Sequence, residues 1–231
     1  MSTSLTKAQL TGLDDSHLAL AGSTDILAHH EATSALSSMM THAQRDGINL
    51  QPASGYRDFS RQKAIWDAKL TGKRPLLDAH SDPLELLGLT AEQKLDALLY
   101  WSAIPGTSRH HWGSDFDFYD PIAQGDKPFQ LIPAEYAPGG PQHSTFQWLR
   151  THAISYGFFW PYDKARGGVA IEPWHLSYAD VAEPALSAMT PALIAELLSH
   201  HPIELADQVI KRLDELLDRY VFNVNRWNTI R

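Results

Sequence analysis

Ser108-Arg109-His110-His111-Trp112-Gly113-Ser114-Asp115-Phe116-Asp117 is the stretch on which the reading turns, and Glu172-Pro173-Trp174-His175 answers it downstream. Together they offer two imidazoles, a carboxylate and a spare glutamate: three ligands and a base for a hydrolytic zinc. A catalytic zinc takes three protein ligands of nitrogen or oxygen type and keeps a fourth position open. His110, Asp117 and His175 fit that set. The step from 110 to 117 is odd, which on an unbroken strand would put the two side chains on opposite faces. Gly113 can adopt the backbone conformation that bends the chain between them, so that both face one ion. Glu172, three positions before His175 across a proline turn, can reach the attacking water without binding the metal.

Taken singly, each of these residues is far more often an ordinary surface or capping group than a ligand. The pairs His29-His30 and His200-His201 are read in that bland sense, as surface features at helix ends. The conjunction of Ser, His, Gly and Asp at fixed offsets, followed by Glu-x-x-His, is what sets the organising stretch apart.

Composition narrows the classes. At 231 residues the chain suits one domain of ordinary size, with room for an appendage. The absence of cysteine removes disulfides, thiolate zinc sites, iron–sulfur clusters and cysteine nucleophiles together. A formal charge of −8 disfavours a nucleic-acid partner. No run approaches the roughly 18 apolar residues of a membrane span. Met1–Lys7 lacks the basic-then-apolar pattern of a secretory signal, so a cytoplasmic home is expected unless a leader has been trimmed.

The flanking chain reads as mixed α and β. A helical stripe runs from Glu31 to Arg45 and stops at Gly47; a short strand is expected over Ile48–Ala53. Asp58 is a candidate cap for a helix to Leu70, and Thr90-Ala91-Glu92-Gln93 resembles a capping box opening another. Ser114 to Tyr119 alternates like a strand with one polar and one apolar face. Residues 121–141 carry five prolines and read as a loop that shapes a rim. A helix is expected over 144–156, and a last strand, Val169–Ile171, to deliver Glu172 and His175. Two helices, about 191–200 and 203–220, are expected after Pro184. The aromatics Phe158 to Tyr162 and Trp174 are assigned to the core.

With these residues in view, Ser108-x-His110-x-x-Gly113-x-Asp115-x-Asp117 and Glu172-Pro173-Trp174-His175 resemble the signature of the zinc D-alanyl-D-alanine carboxypeptidases of the VanY type, in the superfamily that includes D,D-dipeptidases and the hedgehog domain. Ser54-Gly55-Tyr56-Arg57, with Gln62 five positions on, resembles the upstream motif of that family. The resemblance, which runs from about Leu50 to Tyr178 in discontinuous pieces, implies an α+β fold, a small antiparallel sheet flanked by helices, and the peptidase domain is read as 1–190. Residues 191–231 would then form a C-terminal helical extension packed on the same domain. It further implies zinc on His110, Asp117 and His175, Glu172 as general base, and Arg57 gripping substrate with Ser108 and Gln62 assisting. The implied partner is a peptidoglycan stem peptide or muropeptide ending in D-alanine. Asp115 departs from the family pattern, which usually has alanine there; it is read as a partner to a ligand histidine, with competition for the metal as the alternative.

Arg57 has a physical case of its own, because a planar guanidinium suits the carboxylate of a free C-terminus. A structural salt bridge to Asp58 or Asp67 is the competing reading. The carboxypeptidase is left open between D,D and L,D specificity, and three rivals stand beside it: a D,D-dipeptidase or endopeptidase on the same groups, a non-haem iron oxygenase with two His and one carboxylate, and a zinc-binding module without catalysis.

Overall fold

The computed structural model describes residues 4–22 and 24–227. The signal-sequence reading of Met1–Lys7 lies partly outside them, as do the last four residues of the expected extension.

In chain order the elements are α1 (Lys7–Leu10), β1 (Leu18–Leu20), β2 (Leu27–His29), α2 (Thr33–Arg45), β3 (Gln51–Ser54), α3 (Phe59–Leu70), α4 (Ala91–Trp101), β4 (Asp115–Tyr119), α5 (Pro121–Gln124), α6 (Pro133–Tyr136), α7 (His143–His152), β5 (Phe158–Phe159), β6 (His175–Tyr178), α8 (Ala179–Ala188), α9 (Pro191–His200), α10 (Ala206–Lys211) and α11 (Leu213–Leu217). Among the described residues the strands form a β1–β2 hairpin and a four-stranded antiparallel sheet of order β3-β4-β6-β5. This is the α+β architecture expected.

Local chemistry accounts for the helix starts. The Asp58 side chain accepts from the Arg61 N–H at the head of α3, and Thr90 and Gln93 form a reciprocal capping box on α4. Gly157 ends the 144–156 segment in a left-handed conformation, after α7 has tightened into a 3₁₀ turn, Ala153–Tyr156.

β4 sits between β3 and β6, so both of its faces are covered and four of its five residues are buried. Phe116 and Phe118 pack with Leu36, Met39 and Leu149 of α2 and α7. Asp115 and Asp117 point the other way, toward the functional site. A second apolar cluster joins Phe59 and Trp66 of α3, Leu95 and Leu98 of α4, and Ile194, Val209 and Leu216 from the C-terminal helices. Residues 191–227 therefore share a core with the middle of the chain.

Several expectations are corrected. Residues 169–171 do not form a strand: Ala170 N–H bonds the Tyr100 carbonyl at the end of α4, and the place beside β4 is taken by β6. A helix, α8, runs straight through Pro184; Val181, Ala182, Ala185 and Leu186 are buried along it, and that packing outweighs the missing N–H. The 203–220 helix divides into α10, α11 and a π turn, Asp218–Phe222. The expected strand at 48–53 starts three residues later, and the 121–141 loop contains α5 and α6. His29 is buried at 1% exposure on β2, whereas His200 and His201 are exposed at the end of α9 as expected. Among the described residues no single helix is long and apolar enough to cross a membrane.

Candidate active site

The odd step from His110 to Asp117 is resolved by taking His110 off the strand. Arg109–Trp112 form one 3₁₀ turn, closed by Gly113 at φ +67°, and β4 begins two residues later. Glycine is required here twice over, for the dihedral and for space. A Cβ at 113 would lie 2.4 Å from Leu18 Cδ2 and 2.6 Å from the His29 backbone nitrogen. The β1–β2 hairpin is thus clamped on the turn that carries His110.

Asp117 and His175 are direct cross-strand partners on β4 and β6. The turn before β6 closes with the His175 N–H donating to the Glu172 carbonyl at 3.2 Å, which swings the Glu172 side chain back over the imidazole. Donor atoms of His110, Asp117 and His175 all lie within 4.8 Å of one another, a spacing that could hold one metal ion. His110 Nε2 is 3.4 Å from Asp117 Oδ2; His175 Nδ1 is 3.2 Å from both Asp117 Oδ1 and Glu172 Oε2. All four residues are buried.

Each ring is oriented from behind. His110 Nδ1 donates to the Asp115 carbonyl at 3.1 Å, which turns Nε2 inward. His175 Nε2 donates to Asp115 Oδ1 at 2.9 Å, which leaves Nδ1 for the centre. Asp115 is itself held by Arg109 Nε at 2.8 Å, by Ser114 Oγ at 2.5 Å and by Ser177 Oγ. It stands behind the histidine and takes no place among the three converging donors.

The donor set suits a cation. Asp117 Oδ1 is buried and, among the described residues, makes no well-aligned hydrogen bond although His175 Nδ1 lies 3.2 Å away, an arrangement that an ion between them would satisfy. Burial holds the His110 imidazole down to about 3, so it presents a lone pair at neutral pH. Burial also opposes charge on His175, but its contacts with Asp115, Asp117 and Glu172 outweigh that and raise its pKa well above the ordinary range. The inward Nδ1 of His175, facing Asp117 Oδ1 and Glu172 Oε2, marks a position where a divalent cation can replace a proton. Burial pushes the Glu172 carboxyl up, against the pull of His175.

The four residues open onto a cleft of about 250 Å³, also lined by Arg57, Lys69, Ser102, Ser108, Tyr162, Trp174, Tyr220 and Val221. Arg57 follows β3, and its backbone is tied to the metal-site turn. The Arg57 N–H donates to the His110 carbonyl at 3.2 Å, while His111 bridges the Arg57 carbonyl and the Gly106 N–H. Its guanidinium donates to Gln62 Oε1 at 2.7 Å and Ser54 Oγ at 3.1 Å, both neutral. The competing salt bridges are not formed: Asp58 caps α3 and Asp67 pairs with Lys63.

Ser108 lines the cleft as expected, but Gln62, expected to assist at the substrate, does not. Both ends of its amide are engaged, Oε1 on Arg57 and Nε2 on the Ala103 carbonyl at 2.8 Å, so it positions Arg57. Tyr162, assigned to the core, lines the cleft; Trp174 is buried at 3% exposure as assigned and also borders it, and Phe158 and Phe159 are core. Lys69, His111, Tyr220 and Val221 were not anticipated. His111 stood inside the motif as a visible signal; the others carried none.

Comparison with known proteins agrees with this geometry. The family model for VanY, D-alanyl-D-alanine carboxypeptidase, matches residues 25–181, which include Arg57, Ser108, His110, Asp117, Glu172 and His175. An uncharacterized protein of Haemophilus influenzae is 39% identical over 103 residues, 43% of this chain and 70% of its own. The D-alanyl-D-alanine carboxypeptidase of Enterococcus faecalis is 29% identical over 153 residues; the match covers 63% of this chain and 46% of that longer relative. The solved structure of VanYB in complex with D-alanine-D-alanine superposes with a TM-score of 0.50, 24% identity and 87% of each chain covered, a likeness of fold.

Proposed function

Because this chain belongs to the VanY D-alanyl-D-alanine carboxypeptidase family, we propose that it is a zinc peptidase that removes the terminal residue from peptidoglycan-type peptides ending in D-alanine. The observation that carries the reading is the convergence of His110, Asp117 and His175, with the Glu172 carboxylate 3.2 Å from the inward nitrogen of His175, at the head of a cleft that Arg57 enters.

His110, Asp117 and His175 would hold the zinc, which supplies the Lewis acidity that makes a water nucleophilic near neutral pH and polarises the scissile carbonyl. Glu172 accepts the proton of the attacking water and passes it to the departing amine; burial, by raising its pKa, brings it closer to the range a proton shuttle needs. Arg57, fixed by Gln62 and Ser54, offers its charge to the oxyanion that develops on the carbonyl oxygen. Trp174 and Tyr162 wall the cleft. A volume just below the usual range for small-molecule sites suits a peptide end better than a glycan strand.

An iron oxygenase would have no use for a buried glutamate aimed at the third ligand, and an idle zinc module would not need one. The decisive experiment is mass spectrometry of products from defined tri-, tetra- and pentapeptide stems, with and without a chelator. Loss of one D-alanine, abolished by chelation, is expected. Glu172→Ala should keep its zinc and lose about 10²–10⁴-fold in kcat; near-wild-type turnover by that variant would remove Glu172 from the mechanism.

A further inference from the structure

Of the three Lys and Arg side chains that line this cleft, Arg109 is paired with Asp115, and of the other two, Arg57 and Lys69, the mechanism above uses only Arg57. Lys69 lies in the last turn of α3, half-buried, and lines the cleft with Arg57. Its Nζ donates to Ser102 Oγ at 2.7 Å, on the segment that follows α4. Among the described residues no carboxylate is within ion-pair distance of either Lys69 or Arg57; each is held only by neutral acceptors. Withdrawing an unpaired cation from water is unfavourable, and an anion arriving in the cleft would relieve it. Burial and the neighbouring Arg57 and Arg74 lower the Lys69 pKa to about 8, with Glu172 acting in the opposite sense.

A peptide cut one residue from its end presents two anionic centres, the developing oxyanion and the terminal carboxylate. Arg57 is tied to the turn that carries His110 by its N–H bond to the His110 carbonyl, and its guanidinium is held by Ser54 and Gln62, so we assign it to the oxyanion rather than to the terminal carboxylate that its planar fork would also suit. Lys69 enters instead from the α3–α4 side, beside Ser102. We propose that Lys69, held by Ser102, binds the free carboxylate of the substrate and so makes the enzyme specific for chain ends. A compact ammonium with three donors can satisfy a carboxylate while keeping its bond to a hydroxyl. The assignment rests on the carboxypeptidase reading and adds the group that selects its substrate.

The test compares N-acetyl-Lys-D-Ala-D-Ala with a free carboxylate against the same peptide as its C-terminal amide. Equilibrium binding is measured by calorimetry on zinc-loaded Glu172→Gln, with and without Lys69→Met. Lys69→Met should weaken binding of the carboxylate peptide about 10- to 100-fold and leave the amide unchanged. In the otherwise wild-type enzyme it should raise KM with kcat little altered, and Lys69→Arg should restore most of the loss. Equal losses for both peptides, or undiminished preference for the carboxylate, would overturn the proposal. Failure of the underlying reading looks different: the wild-type enzyme would then hydrolyse neither peptide.

Discussion

Asp115 is where this chain departs from the family pattern, and Asp115→Asn tests what the departure does. Oδ1 accepts from Arg109 Nε at 2.8 Å, from His175 Nε2 at 2.9 Å and from Ser177; Oδ2 accepts only from Ser114 Oγ, at 2.5 Å. An asparagine that keeps its oxygen at the Oδ1 position retains the first three bonds. Its amide nitrogen then faces a serine hydroxyl free to rotate and accept. The substitution therefore removes charge and little geometry. Loss of that charge makes His175 less basic, and outer partners of ligand histidines typically change metal affinity by 10- to 100-fold, about 1.4–2.8 kcal/mol.

A second effect falls on the fold. Arg109 is buried beneath Trp112, with its charge centre 4.9 Å from the ring, and Asp115 is its only carboxylate partner among the described residues. Removing one member of a buried pair typically costs about 3–5 kcal/mol, and the retained hydrogen bonds place this case toward the lower end. Zinc competition against a chromophoric chelator gives the affinity, and urea unfolding with chelator present gives the stability free of metal. An affinity within twofold of wild type would refute the reasoning. A loss as complete as that of His175→Ala would instead make Asp115 a direct ligand.

Two further predictions follow from the clamp around Gly113. Gly113→Ala forces a side chain into a left-handed conformation against Leu18 and the His29 backbone; it should destabilise the protein by about 2–4 kcal/mol in urea unfolding, and a loss below about 0.5 kcal/mol would contradict the clash. His29 is held down to about 4 by burial and by His30 and His17, and its Nδ1 accepts from the Glu31 N–H. The unfolded chain thus takes up this proton first as pH falls, so this contribution to stability is full above about 6.5 and declines between there and about 4. His29→Asn should flatten that part of the stability–pH curve; an unchanged slope would assign the acid sensitivity elsewhere.

What was legible in the sequence was whatever is decided by bonding within a few residues. Asp58 and Thr90 announce helix starts because a cap needs only its own turn, and 115–119 alternates because a strand does. The ligand set was legible for a related reason: zinc accepts few donor types, so their conjunction is informative before any fold is known. The β1–β2 hairpin escaped because strands of three residues are too short to show a period, which made His29 look like a surface residue beside a helix. Val169–Ile171 has the composition of a strand, but pairing is settled by competition for the edge of β4, and β6 occupies it. Lys69 lies twelve residues beyond Arg57, and only the packing of α3 on α4 brings it to Ser102 and the cleft.

Gln62 shows the deeper limit. Its place in a motif with Arg57 marks it as functional but says nothing about what it touches. A glutamine amide has one acceptor end and one donor end, and here the first is occupied by Arg57 and the second by the Ala103 carbonyl. Each end keeps a spare lone pair or hydrogen, but at 1% exposure and off the lining of the cleft Gln62 offers neither of them to substrate. Substrate contact and support of a contacting residue leave the same trace in a sequence; they separate only when every donor and acceptor has been assigned a partner.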